Sequence, residues 1–132
     1  MEHVIVIKIG GVSSQHLSQE FIQQIKQWKA ENKQVVIVHG GGFAINQLME
    51  EEHVPITKKN GLRVTRQSDM KLVSYALLNI VGANLVKKLN QSSLDSVQLL
   101  SNMPKVVQAD FLDKATYGYV GNVSHNESDV LE

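Results

Sequence analysis

Lys8 interrupts an otherwise apolar run, Val4 to Ile9, and Gly10-Gly11 follow it at once. A buried lysine is costly without a partner, so a lysine at a strand end either snorkels into solvent or faces a cleft. The glycine pair directly behind Lys8 favours the cleft. A second apolar run, Val35 to Val38, leads into His39-Gly40-Gly41-Gly42. Glycines let a ligand approach the main chain, and the free N–H groups of a helix start favour an anion. Taken alone, the same residues also fit a tight strand-to-helix turn. With the two strands side by side, the Lys8 ammonium and the backbone donors of Gly10, Gly11, Gly40, Gly41 and Gly42 would surround one anionic pocket. Such a pocket suits phosphoryl transfer, which depends on positioning and charge neutralisation more than on covalent chemistry.

Arg63 stands just past an Asn60-Gly61 pair. Its guanidinium can fork onto a carboxylate through two parallel hydrogen bonds; from spacing alone, a solvated arginine on a hairpin fits as well. The other candidates are weaker. His3, His16, His39, His53 and His125 show no ligand spacing, so no metal site is expected. The glycines do not form G-x-G-x-x-G, and neither a G-x-x-x-x-G-K-[ST] loop nor a G-x-S-x-G elbow occurs. Glu50-Glu51-Glu52 reads as a solvated helix end and is assigned no chemistry.

These residues need elements to hold them. The segment from His3 to Ile9 is apolar on both strand faces, which predicts a parallel strand covered on both sides. Leu17, Phe21, Ile25 and Trp28 are spaced for one face of a helix ending near Asn32-Lys33. Val35 to Val38 predicts the second strand, and Phe43, Ile45, Asn46, Leu48 and Met49 a second helix. This alternation predicts an α/β fold with a mainly parallel sheet flanked by helices, and ligands at the carboxyl ends of the strands. Asn60-Gly61, between the β-type runs of residues 56–65, predicts a projecting hairpin. Met70, Val73, Leu77, Val81, Leu85 and Leu89 mark a long helix, with Gly82 inside it for close packing. Short strands are expected over Ser96 to Leu100, Lys105 to Ala109 and Tyr119 to Val123. Ser124 and Glu127 fit a capping box that opens a last helix. A helix start with barely a turn of body predicts a piece of a longer protein.

Composition narrows the function classes. In 132 residues, 13 Lys+Arg balance 13 Asp+Glu, and there is no cysteine. Zero net charge and scattered basic pairs argue against nucleic acid and anionic membrane as partners. The absence of thiols removes disulfides and cysteine nucleophiles and suits a reducing cytoplasm. The amino-terminal apolar run falls far short of the ~20 residues of a membrane span. One domain or one lobe is expected.

Taken together, Val-Ile-Lys-Ile-Gly-Gly ending at Gly11, Val-Ile-Val-His-Gly-Gly-Gly ending at Gly42 with Ile45-Asn46 behind it, and Asn60-Gly61-Leu62-Arg63-Val64-Thr65 resemble the acetylglutamate kinases of the amino-acid kinase family. Tyr117-Gly118-Tyr119-Val120-Gly121 is similar to a later Gly-x-Val-Gly segment of that family. The resemblance covers nearly the whole chain. It implies a three-layer sandwich and ATP-dependent phosphorylation of the side-chain carboxylate of N-acetyl-L-glutamate, a step of arginine biosynthesis. It also implies roles: Lys8 stabilises the transferring phosphoryl group, Gly41 and Gly42 bind substrate end and phosphoryl oxygens, and Arg63 grips the α-carboxylate. Gly10, Gly11 and Gly40 belong to the phosphate side.

Members of the family are roughly twice as long, two lobes of ordinary domain size. Residues 1–132 therefore correspond to the amino-terminal, acetylglutamate-binding and dimerising lobe. ATP with Mg2+ is expected to bind mainly to the carboxyl-terminal lobe, and this chain alone is not expected to turn over. The family carries a glycine- and aspartate-bearing loop where Gln98 to Lys105 stand here. With no extra amino-terminal helix before the first strand, the resemblance implies an arginine-insensitive homodimer. Competing readings are a non-catalytic amino-acid-binding or assembly module, and another amino-acid kinase acting on a free amino acid.

Overall fold

The computed structural model of the chain describes residues 3–99 and 107–126. Strands β1 (Val4–Ile9) and β2 (Gln34–His39) pair in parallel, with Lys8 opposite Val38 and Ile9 opposite His39. Helix α1 (Gln19–Ala30) makes the crossover. Its start is set by Ser18, whose hydroxyl accepts from the Phe21 N–H at 3.1 Å and satisfies one of the free donors of the first turn. Because side chains alternate along a strand, Ile7, Ile9, Val35 and Ile37 share one face. They pack on Ile25, Leu85, Leu89 and Leu94. The opposite face differs from expectation: Val6 and Val38 are 64% and 48% exposed, so helices cover one face only among the described residues.

Helix α2 (Gly42–Glu51) follows β2 directly and carries a second cluster, in which Ala44, Ile45 and Met49 meet Ala76 and Val81. The expected long helix is present and runs from Gln67 to Gln91. It comprises a 3-10 turn (Gln67–Asp69), α3 (Met70–Tyr75), a π-helical segment (Ala76–Gly82) and α4 (Ala83–Gln91). By length and composition it could cross a bilayer, yet Ala76 and Val81 are buried in one cluster and Leu85 and Leu89 in the other, so the helix serves both. Gly82 is tightly packed, as expected. A Cβ there would stand 2.8 Å from the Gln98 Cδ and 2.9 Å from the Leu77 carbonyl oxygen.

Strands β3 (Lys58–Lys59) and β4 (Leu62–Arg63) form an antiparallel hairpin. Its turn residues Asn60 (φ 51°) and Gly61 (φ 78°) both lie in the left-handed region, which suits a two-residue hairpin turn.

Of the later expected strands, two form with bounds shifted by about two residues, whereas the first does not. Residues 96–99 form no strand, so β2 has no partner on its second edge among the described residues. Instead the Gln98 side-chain amide donates to the Leu78 carbonyl at 3.2 Å, binding that segment to the long helix. Between them and β2 lies an apolar groove of about 550 Å3, lined by Val35, Ile37, Leu85, Leu89 and Leu94 among others. Strand β5 (Val107–Phe111) pairs antiparallel with β6 (Gly121–Asn126) around the short helix α5 (Lys114–Tyr117). Ser124 therefore sits in a strand and does not cap a helix; the register shifts beside it, and its hydroxyl donates to the Gln108 carbonyl at 3.5 Å. Glu127 and the expected helix after it lie outside the described residues, as do Leu100 to Lys105.

Candidate functional site

Parallel pairing in register brings the two glycine loops side by side. The Gly40 N–H donates to the Ile9 carbonyl at 3.2 Å, carrying the ladder one step past the strands. Gly11 packs directly on the second loop, and a Cβ on it would stand 3.0 Å from the Gly41 Cα and N. Buried Ser14 fixes the first loop, its hydroxyl donating to the Gly11 carbonyl at 2.6 Å and its N–H to the Gly10 carbonyl at 3.1 Å. Gly41 faces the long helix, where a Cβ would meet the Leu77 Cδ2 at 2.6 Å. Gly42 is the exception, since a Cβ there would have no neighbour within 4 Å. It opens α2 with no side-chain cap before it. Helix geometry leaves the first N–H groups of α2 without intrahelical partners, and the side of Gly42 on which a Cβ would stand is open.

Arg63 reaches this place from the hairpin. Its Nη2 donates to the Asn46 Oδ1 and, at 3.5 Å, to the Gly42 carbonyl, while Nη1 donates to the Met49 sulfur at 3.4 Å. The guanidinium thus lies along the first turns of α2 although the residues are far apart in sequence. The hairpin is itself held: the Asn60 side-chain amide donates to the Tyr117 hydroxyl at 3.0 Å. Beyond β4, buried Thr65 exchanges backbone bonds with Tyr117 and Tyr119. Gly118, between those tyrosines, has φ 69°, and a Cβ would overlap Thr65.

Lys8 lies on the open face of the sheet with Val6, and it is exposed. Strand alternation turns it away from the packed face, one residue before the glycine loop. Of the residues singled out in the sequence, Gly10, Gly11, Gly40, Gly41, Gly42 and Arg63 are therefore gathered at the carboxyl ends of β1 and β2, with Lys8 at the end of β1. Ser14, which no motif contains, takes part as well, and so do Asn46 and Tyr117, which the sequence shows only as motif members without a role. A signal for Asn46 exists: it lies four residues from Gly42, a polar side chain among Phe43, Ile45, Leu48 and Met49.

Beside the hairpin, Asp69 anchors the start of the long helix. Burial pushes its carboxyl pKa up, but the Arg66 guanidinium and backbone N–H and the Ser68 hydroxyl, all hydrogen-bonded to it, outweigh this and hold it below its ordinary 3.8. Among the described residues no cluster of three His, Asp or Glu could hold a metal ion.

The model of the amino acid kinase family matches residues 3–132. An acetylglutamate kinase from Streptococcus mutans is 60% identical over all 132 residues, which cover 54% of that protein. One from Streptococcus sanguinis is 52% identical, again with 54% covered. A crystal structure of a Streptococcus mutans UA159 protein superposes with a TM-score of 0.94 at 60% identity, covering 99% of this chain and 54% of that one. The chain spans about half the length of the curated relatives it matches. On its α/β fold, its paired glycine loops and the family match over nearly its full length, the chain belongs to the amino acid kinase family.

Proposed function

We propose that these residues form the acetylglutamate-binding lobe of an acetylglutamate kinase, which transfers the γ-phosphoryl group of ATP to the side-chain carboxylate of N-acetyl-L-glutamate. One observation carries the reading: Arg63 is brought across from β4 to lie beside Gly42, at the open, donor-rich start of α2. A dicarboxylate lying there has a guanidinium for its α-carboxylate and backbone N–H groups for its other end. The names of the relatives at 60% and 52% identity support the same substrate.

The nucleophile needs no general base, because a side-chain carboxylate with an ordinary pKa of about 4.3 is already ionised at neutral pH. Its oxygen forms the new bond to the γ-phosphorus while the bond to ADP breaks. In this reading Gly41 and Gly42 bind the reacting end, and Gly10, Gly11 and Gly40 shape the phosphate side. Lys8 neutralises charge on the moving phosphoryl group. The nucleotide's Mg2+ goes with the ATP in this reading, and among the described residues no group of three His, Asp or Glu could hold it. In this reading ATP and most of the nucleotide contacts belong to the part of the relatives that this chain does not span. A homodimer in the cytoplasm is part of the same proposal.

Calorimetric titration tests it. The 132-residue chain is expected to bind N-acetyl-L-glutamate saturably, L-glutamate far more weakly, and to lose about 2 kcal/mol, roughly thirtyfold in affinity, in Arg63→Ala. With ATP added, hydroxylamine is expected to trap no acyl phosphate from the chain alone. Equal binding of both ligands, or unchanged affinity in Arg63→Ala, overturns the assignment.

A further inference from the structure

We infer that Asn46 is a positioning residue, which sets the Arg63 guanidinium at the mouth of the site without touching the ligand itself. Arg63 is carried by a hairpin with two residues in each strand. Left to itself, a long side chain on so small an element samples many rotamers, and ordering it has an entropic cost at the moment of binding. Three contacts with α2 remove that freedom in advance: Asn46 Oδ1, the Gly42 carbonyl and the Met49 sulfur.

The three are unequal. The Gly42 contact is long at 3.5 Å, and a thioether is a weak acceptor. Asn46 Oδ1 is the only side-chain oxygen among them, on a half-buried residue of a helix whose inner face is locked by fully buried Met49. Those contacts use three of the five guanidinium N–H groups, which leaves two for an incoming carboxylate. The residue type fits the task. An amide oxygen accepts from the guanidinium without neutralising it, so the positive charge stays available to an anion.

Two measurements on the 132-residue chain test the role. In the ligand-free protein, rotation of the Arg63 Nη2 group about its bond to Cζ is expected to be hindered in wild type, giving resolved Nη2–H resonances, and to become fast in Asn46→Ala, where those resonances broaden or disappear. Asn46→Asp, whose carboxylate accepts the same bond, is expected to keep them. In calorimetry with N-acetyl-L-glutamate, Asn46→Ala should weaken binding about tenfold, the worth of one hydrogen bond to a charged group. Asn46→Asp should recover part of that loss. In an Arg63→Ala background, Asn46→Ala should cost nothing further, because its effect passes through the arginine. Thermal unfolding of each variant separates loss of fold from loss of position.

An unmoved Arg63 resonance in folded Asn46→Ala overturns the inference, and so does a tenfold loss that persists without Arg63. The affinity measurement rests on the acetylglutamate reading, whereas the arginine resonance does not. If wild type binds no N-acetyl-L-glutamate, the substrate assignment fails and the resonance alone decides for or against Asn46.

Discussion

The two glycine loops look alike in sequence and are required for opposite reasons. Gly11, after β1, is crowded: the backbone of Gly40 and Gly41 fills the space a side chain would need. Gly42, after β2, is empty on that side. Neither has a positive φ, so conformational freedom explains neither. One glycine allows two pieces of main chain to touch, and the other keeps the start of a helix clear. A glycine motif therefore combines packing and binding, and only the geometry separates the two.

The largest effect expected from this contrast is that of Gly11→Ala. The new methyl would stand 3.0 Å from backbone atoms that have no flexible end to move. Overpacking of this kind costs about 2–3 kcal/mol. Denaturant unfolding should show that loss, with binding of N-acetyl-L-glutamate falling too, since the second loop must shift. Gly41→Ala meets the tip of Leu77, a side chain that can turn away, and should cost less. If Gly11→Ala is as stable as wild type, the loops are not packed as described and the contrast fails.

That contrast shows how far the sequence could be read. The strands, their parallel pairing, the hairpin at Asn60-Gly61 and the long helix follow from local patterns: apolar runs, a two-residue turn pair, and spacings of three and four. They were legible because each depends on residues close together in the chain. The candidate glycines were legible as types, and the meeting of the two glycine loops at the ends of β1 and β2 followed from the α/β alternation, whereas the approach of Arg63 did not. What depends on distant partners was not legible. Ser96 to Leu100 has a strand-like pattern, yet residues 96–99 bind the long helix through Gln98 and leave β2 unpaired on that edge. Ser124 has the spacing of a cap, but it lies inside β6, at the register shift opposite β5. The apolar second face of the sheet predicted a cover that the described residues do not provide. The bond from Asn46 to Arg63 needed the fold before it could be seen.

A sharper form of the contrast concerns acid. Neither loop carries a carboxylate, whereas Asp69 is 3% exposed and tied to Arg66 and Ser68 at the start of the long helix. Its pKa is lowered by folding, so its contribution to stability is complete above about 3.8 and is lost as pH falls through the lower folded value. Asp69→Asn should cost about 1–2 kcal/mol near neutral pH and flatten the acid limb of the stability profile. The cost of Gly11→Ala, measured at one pH, should be the same with Asp69 or with Asn at position 69, because Asp69 lies outside the contact between the loops. A Gly11→Ala cost that changes in the Asp69→Asn background would mean that the loops and the helix start are coupled.

The smallest effect on stability is expected for Gly42→Ala, and it is the most diagnostic. The methyl group meets nothing within 4 Å, and the backbone there is compatible with alanine. Alanine is also the better helix former, so stability should stay within about 0.5 kcal/mol of wild type or rise slightly. The same methyl stands where an anion would approach the first N–H groups of α2, and binding of N-acetyl-L-glutamate should weaken about tenfold or more. Unfolding and calorimetry on one preparation give both quantities. Loss of affinity with stability unchanged identifies the empty side of Gly42 as ligand space. Unchanged affinity would mean that the ligand does not approach α2 from that side, and Gly42 would then join Gly11 as a residue of the turn alone.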